Sequence, residues 1–183
     1  QEDIIAFQER ESIRLLINYG NHNLEGEGSP LYQYVLNELE DVEFRTPIYK
    51  EIISAFRDKF SQGTVIDAQY FRDHGSEAVK KEVIDLELDR YELSDQWFSK
   101  YQIHVPVEEE ILDNVTFTNV LRLKKTIIQK LIKDNLEAIK EAVDPGEQEQ
   151  LLKVSMALKN SEREIAKLLL SLIHISEPTR RYE

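Results

Sequence analysis

Between Val107 and Val143 no Pro or Gly interrupts 37 residues. An uninterrupted stretch of that length predicts one long helix, about 55 Å at ~1.5 Å per residue. Apolar residues keep helical spacing along it. Val120, Leu123, Ile127 and Leu131 make one row, and Ile128, Ile132, Leu136, Ile139 and Val143 a neighbouring one. Asp144-Pro145-Gly146 then breaks the helix. A second follows, with Leu151, Val154, Leu158, Ile165, Leu168 and Leu172 on alternating short steps and only Ser161 interrupting. Two such stripes predict an antiparallel helical hairpin with a narrow seam. A hairpin this slender buries little of itself and leaves much surface for a partner.

The remainder of the chain reads as a compact helical bundle. Only 6 Gly and 5 Pro in 183 residues, with 41% apolar and 32% charged residues, suit an all-α protein. A net charge of -12 argues against a sequence-independent grip on nucleic acid, which needs a basic surface. The absence of Cys excludes disulfides, thiolate metal sites and cysteine nucleophiles, and suits a cytoplasmic protein. No apolar run nears the roughly 20 residues that span a bilayer, so no membrane partner is expected. The chain starts at Gln1 rather than Met and reads as a piece of a longer protein.

In chain order, residues 1–19 form a helix in which Ile4, Ile5, Ile13, Leu15, Leu16 and Ile17 carry the apolar content and Glu9, Arg10, Glu11 and Arg14 supply the wet face. Ser29-Pro30 and Thr46-Pro47 each look like an N-cap followed by Pro at the first helical position. The first starts a helix holding Leu31, Tyr34, Val35 and Leu39. The second starts one holding Ile48, Ile52, Ile53, Phe56 and Phe60, which Gly63 stops. Asp67 caps a short helix around Tyr70 and Phe71 that ends at His74-Gly75. Ser76 opens the next, with Val79, Val83, Ile84 and Leu86. Ser94 caps a short segment with Trp97, Phe98 and Tyr101. Gln102 to Pro106 is extended, because a residue before Pro is pushed out of the helical region. These signals divide the chain into a bundle, 1–104, a hairpin, 105–171, and an irregular or non-native tail, 172–183. Ile173-His174-Ile175-Ser176-Glu177-Pro178 in that tail resembles translated sequencing-adapter read-through. No sheet of consequence is expected, since no segment alternates strictly.

Chemistry-bearing patterns are sparse. His22, His74, His104 and His174 lie at predicted loops or helix ends, none with a second ligand one helical turn away. Asp85, Glu87 and Asp89 alternate with apolar residues, and on a helix that spacing does not share one face. A solvated helix end explains them better than a Mg²⁺ site. No glycine-rich phosphate loop or nucleophile elbow occurs, and no metal or cofactor is expected. Arg122, Lys124, Lys125, Lys130 and Lys133 form a basic stretch, either a solvated face or a contact for an acidic partner. Leu152, Met156, Lys159, Arg163 and Lys167 lie off the returning helix's seam. Leu152 and Met156 fit an adaptable binding surface or a widened core stripe equally well.

The order of several short motifs resembles the C-terminal helicase-binding region of bacterial DNA primase, particularly in Bacteroides-like bacteria. They are Gln8-Glu9-Arg10-Glu11 with Ile13-Arg14-Leu15-Leu16-Ile17-Asn18-Tyr19-Gly20, then Thr46-Pro47-Ile48-Tyr49 and Asp67-Ala68-Gln69-Tyr70-Phe71. Tyr91-Glu92-Leu93-Ser94 and Ile103-His104-Val105-Pro106 complete the series, across residues 1 to 170. The resemblance implies a helical bundle and hairpin that bind the N-terminal domains of the hexameric replicative helicase and modulate it. It also implies a parent DNA primase, a DNA-directed RNA polymerase, whose zinc and catalytic domains have no counterpart here. The fragment itself would be non-catalytic, with no strong direct hold on nucleic acid. Leu152, Met156, Lys159, Arg163 and Lys167 are the residues expected at the contact, with Ile13, Arg14 and Leu16 shaping the bundle. Two rivals are a self-associating module like a helicase N-terminal domain and a helical metal-dependent hydrolase using clustered acids.

Overall fold

The computed structural model describes residues 2–92 and 111–176, and side chains over 3–89 and 111–173. The fold is all-α. Among the described residues seven helices run α1 Glu2–Tyr19, α2 Leu31–Glu38, α3 Pro47–Ser61, α4 Ala68–His74, α5 Glu77–Glu92, α6 Leu112–Glu141 and α7 Pro145–Ser176. Two-residue strands β1, Asn23–Leu24, and β2, Ser29–Pro30, pair antiparallel between α1 and α2. The chain forms two compact units, residues 6–120 and residues 1–5 with 121–183. The first therefore takes in α6 as far as Val120. The boundary expected at residues 104 and 105, and the segment around Ser94 and Trp97, lie outside the described residues.

In the first unit, α1 is the central element. Ser12, Ile13, Arg14, Leu15, Leu16 and Ile17 are all buried, so the helix is covered on every side rather than along one stripe. Leu24, Leu31, Val35, Leu39, Phe44, Ile52, Ile53, Phe56, Phe71, Val79, Val83 and Leu86 supply the rest of the core. Phe56 and Phe71 meet at 5.3 Å between ring centroids, linking α3 to α4. The wet face predicted for α1 needs correction at two positions. Glu9 is fully buried and Arg14 is 7% exposed. Each is retained inside because it is paired: Arg14 with Glu11 at 3.1 Å, and Glu9 with backbone amides described below. Of the apolar residues of α5, Val79, Val83 and Leu86 are buried and Ile84 is 47% exposed.

Several helix ends follow local chemistry, and the starts of α2 and α3 do not. Asp67 Oδ1 accepts the N–H groups of Gln69 and Tyr70, and Ser76 Oγ accepts that of Val79. Gly63, at φ 73°, follows the last turn of α3 as the left-handed residue expected there. Ser29, however, does not cap α2. It pairs with Leu24 in the strand ladder, and the helix opens one residue later, at Leu31, after Pro30 at ψ 147°.

Thr46 precedes α3 as predicted, yet its side chain caps nothing. Glu9 instead holds the two residues that lead into the helix. Its carboxylate accepts the N–H groups of Arg45 at 2.6 Å and Thr46 at 3.0 Å, putting negative charge at the positive end of α3.

The start of α6 is held to this unit at three points. Asp113 accepts the backbone N–H groups of Glu25 and Gly26, Phe117 meets Tyr34 edge-on at 4.9 Å, and Asn119 bonds with Ser12 and with the Gln8 carbonyl. Ile111 precedes α6 in a 3-10 turn, and α6 ends at Glu141, two residues short of the predicted Val143. Residues 107–110 of the predicted helix lie outside the described residues. α7 runs on through Ser176, beyond the tail boundary expected at Leu172, because no Pro or Gly falls between Leu172 and Ser176.

Candidate interaction surface

Several acidic groups and both described imidazoles of the first unit have structural partners. Asp89 and Glu82 flank Arg10, at 2.7 and 3.3 Å, and Glu87 pairs with Arg72. Tyr49 donates its hydroxyl to Glu82 at 3.0 Å. Burial first, and then the Glu82 carboxylate, push the Tyr49 phenol up to about 12. This cluster of Arg10, Tyr49, Glu82 and Asp89 ties α1, α3 and α5 together. His74 stacks on Tyr70 at 4.7 Å and faces its carbonyl, while His22 meets Tyr19 edge-on. Among the described residues, no three His, Asp or Glu side chains gather as a metal site. His104 and the His174 side chain lie outside them.

The second unit contains the hairpin, and its seam differs from the predicted one. Val154 and Leu168 are 48% and 53% exposed, and Val143 is 93% exposed. On α7 the sheltered positions include Leu151, Ser155, Leu158, Glu162, Ile165, Leu169 and Leu172, which follow an alternation of four and three. On α6 they include Ile128, Ile132, Asn135 and Ile139, with Ala142 just past its end, so Asn135 and Ala142 take the places expected of Leu136 and Val143.

Polar pairs explain why the seam passes through residues that hydropathy would leave outside. Asn135 Nδ2 donates to Ser155 Oγ at 2.7 Å and to the Leu151 carbonyl at 2.8 Å. Gln129 Nε2 donates to Glu162 Oε1 at 2.8 Å. Each bond satisfies groups withdrawn from water and makes one helix register preferable to its neighbours. The aliphatic residues displaced from the seam are left on the outside.

All five residues expected at a partner contact lie on that outside. Leu152 is 51% and Met156 69% exposed, which excludes them from a widened core stripe, and Lys159, Arg163 and Lys167 are exposed as well. Their spacing places them along one face of α7. Leu170, exposed and eleven residues beyond Lys159, extends the same row and was missed by the sequence reading. Continuing the four-and-three alternation from Leu152 reaches it. Lys167 pairs with Glu164 at 3.0 Å and Lys153 with Glu149 at 2.8 Å. Among the described residues Lys159 and Arg163 have no ion-pair partner.

The basic stretch of α6 is less uniform than its sequence. Arg122 and Lys133 are exposed, while Lys124, Lys125 and Lys130 are half-buried. Lys130 faces Asp134 at 3.8 Å. Ile13, Arg14 and Leu16, named as shaping the bundle, are all buried in it.

A family model described as a domain of unknown function, DUF8430, matches residues 1–171. The chain belongs to the DUF8430 family. No curated protein and no solved structure matches it. The DUF8430 match takes in every described residue of the bundle and the hairpin through Ser171, with all five residues of the α7 face inside it. No helix of the described residues is long and apolar enough to cross a membrane.

Proposed function

We propose that this chain is the non-catalytic C-terminal region of a bacterial DNA primase and that it binds the N-terminal domains of the hexameric replicative helicase through the outer face of α7. The observation that carries the reading is the exposed row Leu152, Met156, Lys159, Arg163 and Lys167 on a helix whose opposite side closes the hairpin. A helix that shelters one stripe and leaves a second apolar and cationic stripe in water is suited to lie against another helical surface. The ordered motifs from Gln8 to Pro106 support the primase origin, and the all-α fold agrees with it.

Docking of this kind is a mechanism without chemistry in the chain itself. Holding the polymerase part of a primase beside the helicase raises its effective concentration where single strands emerge, so primers are laid at the fork. The same contact gives primase a means of modulating the helicase. The setting for both is the cytoplasm.

Calorimetric titration of the chain against the assembled helicase hexamer tests this. Binding in the micromolar range or tighter is expected, with clear weakening by Arg163→Glu/Lys167→Glu and no loss of helicity. Absence of binding by the unaltered chain rejects the helicase as partner. Concentration-dependent self-association in its place favours a self-assembling helical module.

A further inference from the structure

The exposed face of α7 has a chemical order of its own. Apolar side chains stand at both ends, Leu152 and Met156 near the hairpin turn and Leu170 towards the far end, with Lys159 and Arg163 between them. The row spans 18 residue steps, about 27 Å at ~1.5 Å per residue, the length of a five-turn helix. Lys159 and Arg163 are one turn apart and point the same way. Both lack an ion-pair partner among the described residues, whereas Lys153 and Lys167, beside them, are paired within α7. They belong to a chain whose net charge is -12.

We propose that this face takes an acidic amphipathic helix of the partner, laid lengthwise along α7. Two carboxylates one turn apart meet Lys159 and Arg163, and apolar side chains cover Leu152, Met156 and Leu170. The proposal rests on the reading of α7 as the docking face and adds the chemistry of what docks there. Charge complementarity selects the occupant. An acidic helix is repelled by most of an acidic chain, so two unpaired cations set between apolar side chains, as those of α6 are not, fix where it lands and in which register. The apolar ends supply contact area that phosphates do not use. A nucleic-acid strand would call for a longer run of cations than this row contains.

Three synthetic peptides test it, each about 18 residues long and held helical by a side-chain staple. They share Leu at the inward positions and differ at two central sites one turn apart, which are Glu, Gln or Lys. Fluorescence anisotropy against the full chain should show the Glu peptide binding roughly tenfold tighter than the Gln peptide, with the Lys peptide weakest. Lys159→Glu/Arg163→Glu should invert the order, and Leu152→Ser/Met156→Ser should weaken all three while keeping it. Circular dichroism of each variant confirms that the helices persist. Equal affinity of the three peptides, or an unchanged order in the reversed variant, overturns the proposal. So does preferential binding of a single-stranded oligonucleotide by the same two cations.

The outcomes separate this inference from the one beneath it. Helicase binding that is insensitive to Lys159→Glu/Arg163→Glu overturns the acidic-helix assignment and leaves helicase docking standing. A Glu-peptide preference without helicase binding removes the helicase and leaves the assignment.

Discussion

The carboxylate of Glu9, in the first helix, accepts the N–H of Thr46, the residue that opens the third, from a position with no exposure to solvent. It also holds the N–H of Arg45, and no cationic side chain shares the contact among the described ion pairs. Backbone amides and the helix end stabilise this buried charge. Glu9→Gln keeps the size but sets an amide N–H₂ against amide N–H groups. Urea unfolding should show a loss of about 2 kcal/mol, and Glu9→Ala at least as much, because buried donors are then left unmet. A change within error would mean that the α1–α3 contact does not depend on Glu9.

Tyr49 provides a pH test of the same bundle. Its folded ionisation lies at about 12, raised by burial and by Glu82, against about 10 for an unfolded tyrosine. The unfolded chain therefore releases this proton first as pH rises. Stability from the Tyr49 environment is complete below pH of about 10 and is lost between about 10 and about 12. Ultraviolet titration should show a late-ionising phenol that Tyr49→Phe removes. Glu82→Gln should move it down towards the ordinary value without abolishing the shift, since burial is the larger cause.

In the hairpin, Asn135 and Ser155 should behave as a coupled pair. Single changes to Ala each break the 2.7 Å bond, and the double change breaks it only once. A double-mutant cycle in guanidinium should give a coupling of about 1 kcal/mol, with the wild-type pair favourable. Additive losses would show that the bond sets no part of the seam.

These three cases mark where sequence reading worked and where it stopped. Helix starts and stops set by short-range chemistry were legible: Asp67 two and three residues before the amides it caps, and Gly63 after α3. Glu9 was not, because its partners are backbone groups 36 and 37 residues away and backbone has no sequence signature. The α7 seam was misphased for a different reason. Leu and Val are abundant on several sides of that helix, so hydropathy alone selects Val154 over Ser155. Only the facing Asn135, brought near by the Asp144-Pro145 turn, makes Ser155 an inward residue. The exposed outer face stayed legible because Leu152, Met156, Lys159, Arg163 and Lys167 lie off either version of the seam.

Asp113 and Gly26 complete the set. Asp113 Oδ2 accepts the Gly26 N–H at 2.7 Å, and a Cβ at position 26 would sit 3.2 Å from that oxygen and 3.5 Å from the Phe117 ring. The loop thus approaches α6 so closely that a methyl group at position 26 presses the Asp113 carboxylate slightly aside while meeting the Phe117 ring at an ordinary distance. Asp113→Ala removes the acceptor from an exposed contact and should cost about 1 kcal/mol, while amide exchange at Glu25 and Gly26 speeds up. Gly26→Ala keeps the acceptor but crowds it, and should speed exchange at the same two amides with Asp113 intact. Faster exchange in both variants, with amides of the α1 core unchanged, assigns the effect to this contact. Protection unchanged in both would mean that the loop is held by the β1–β2 pairing and the Leu24 carbonyl, which accepts the N–H of Gly28 at 2.8 Å.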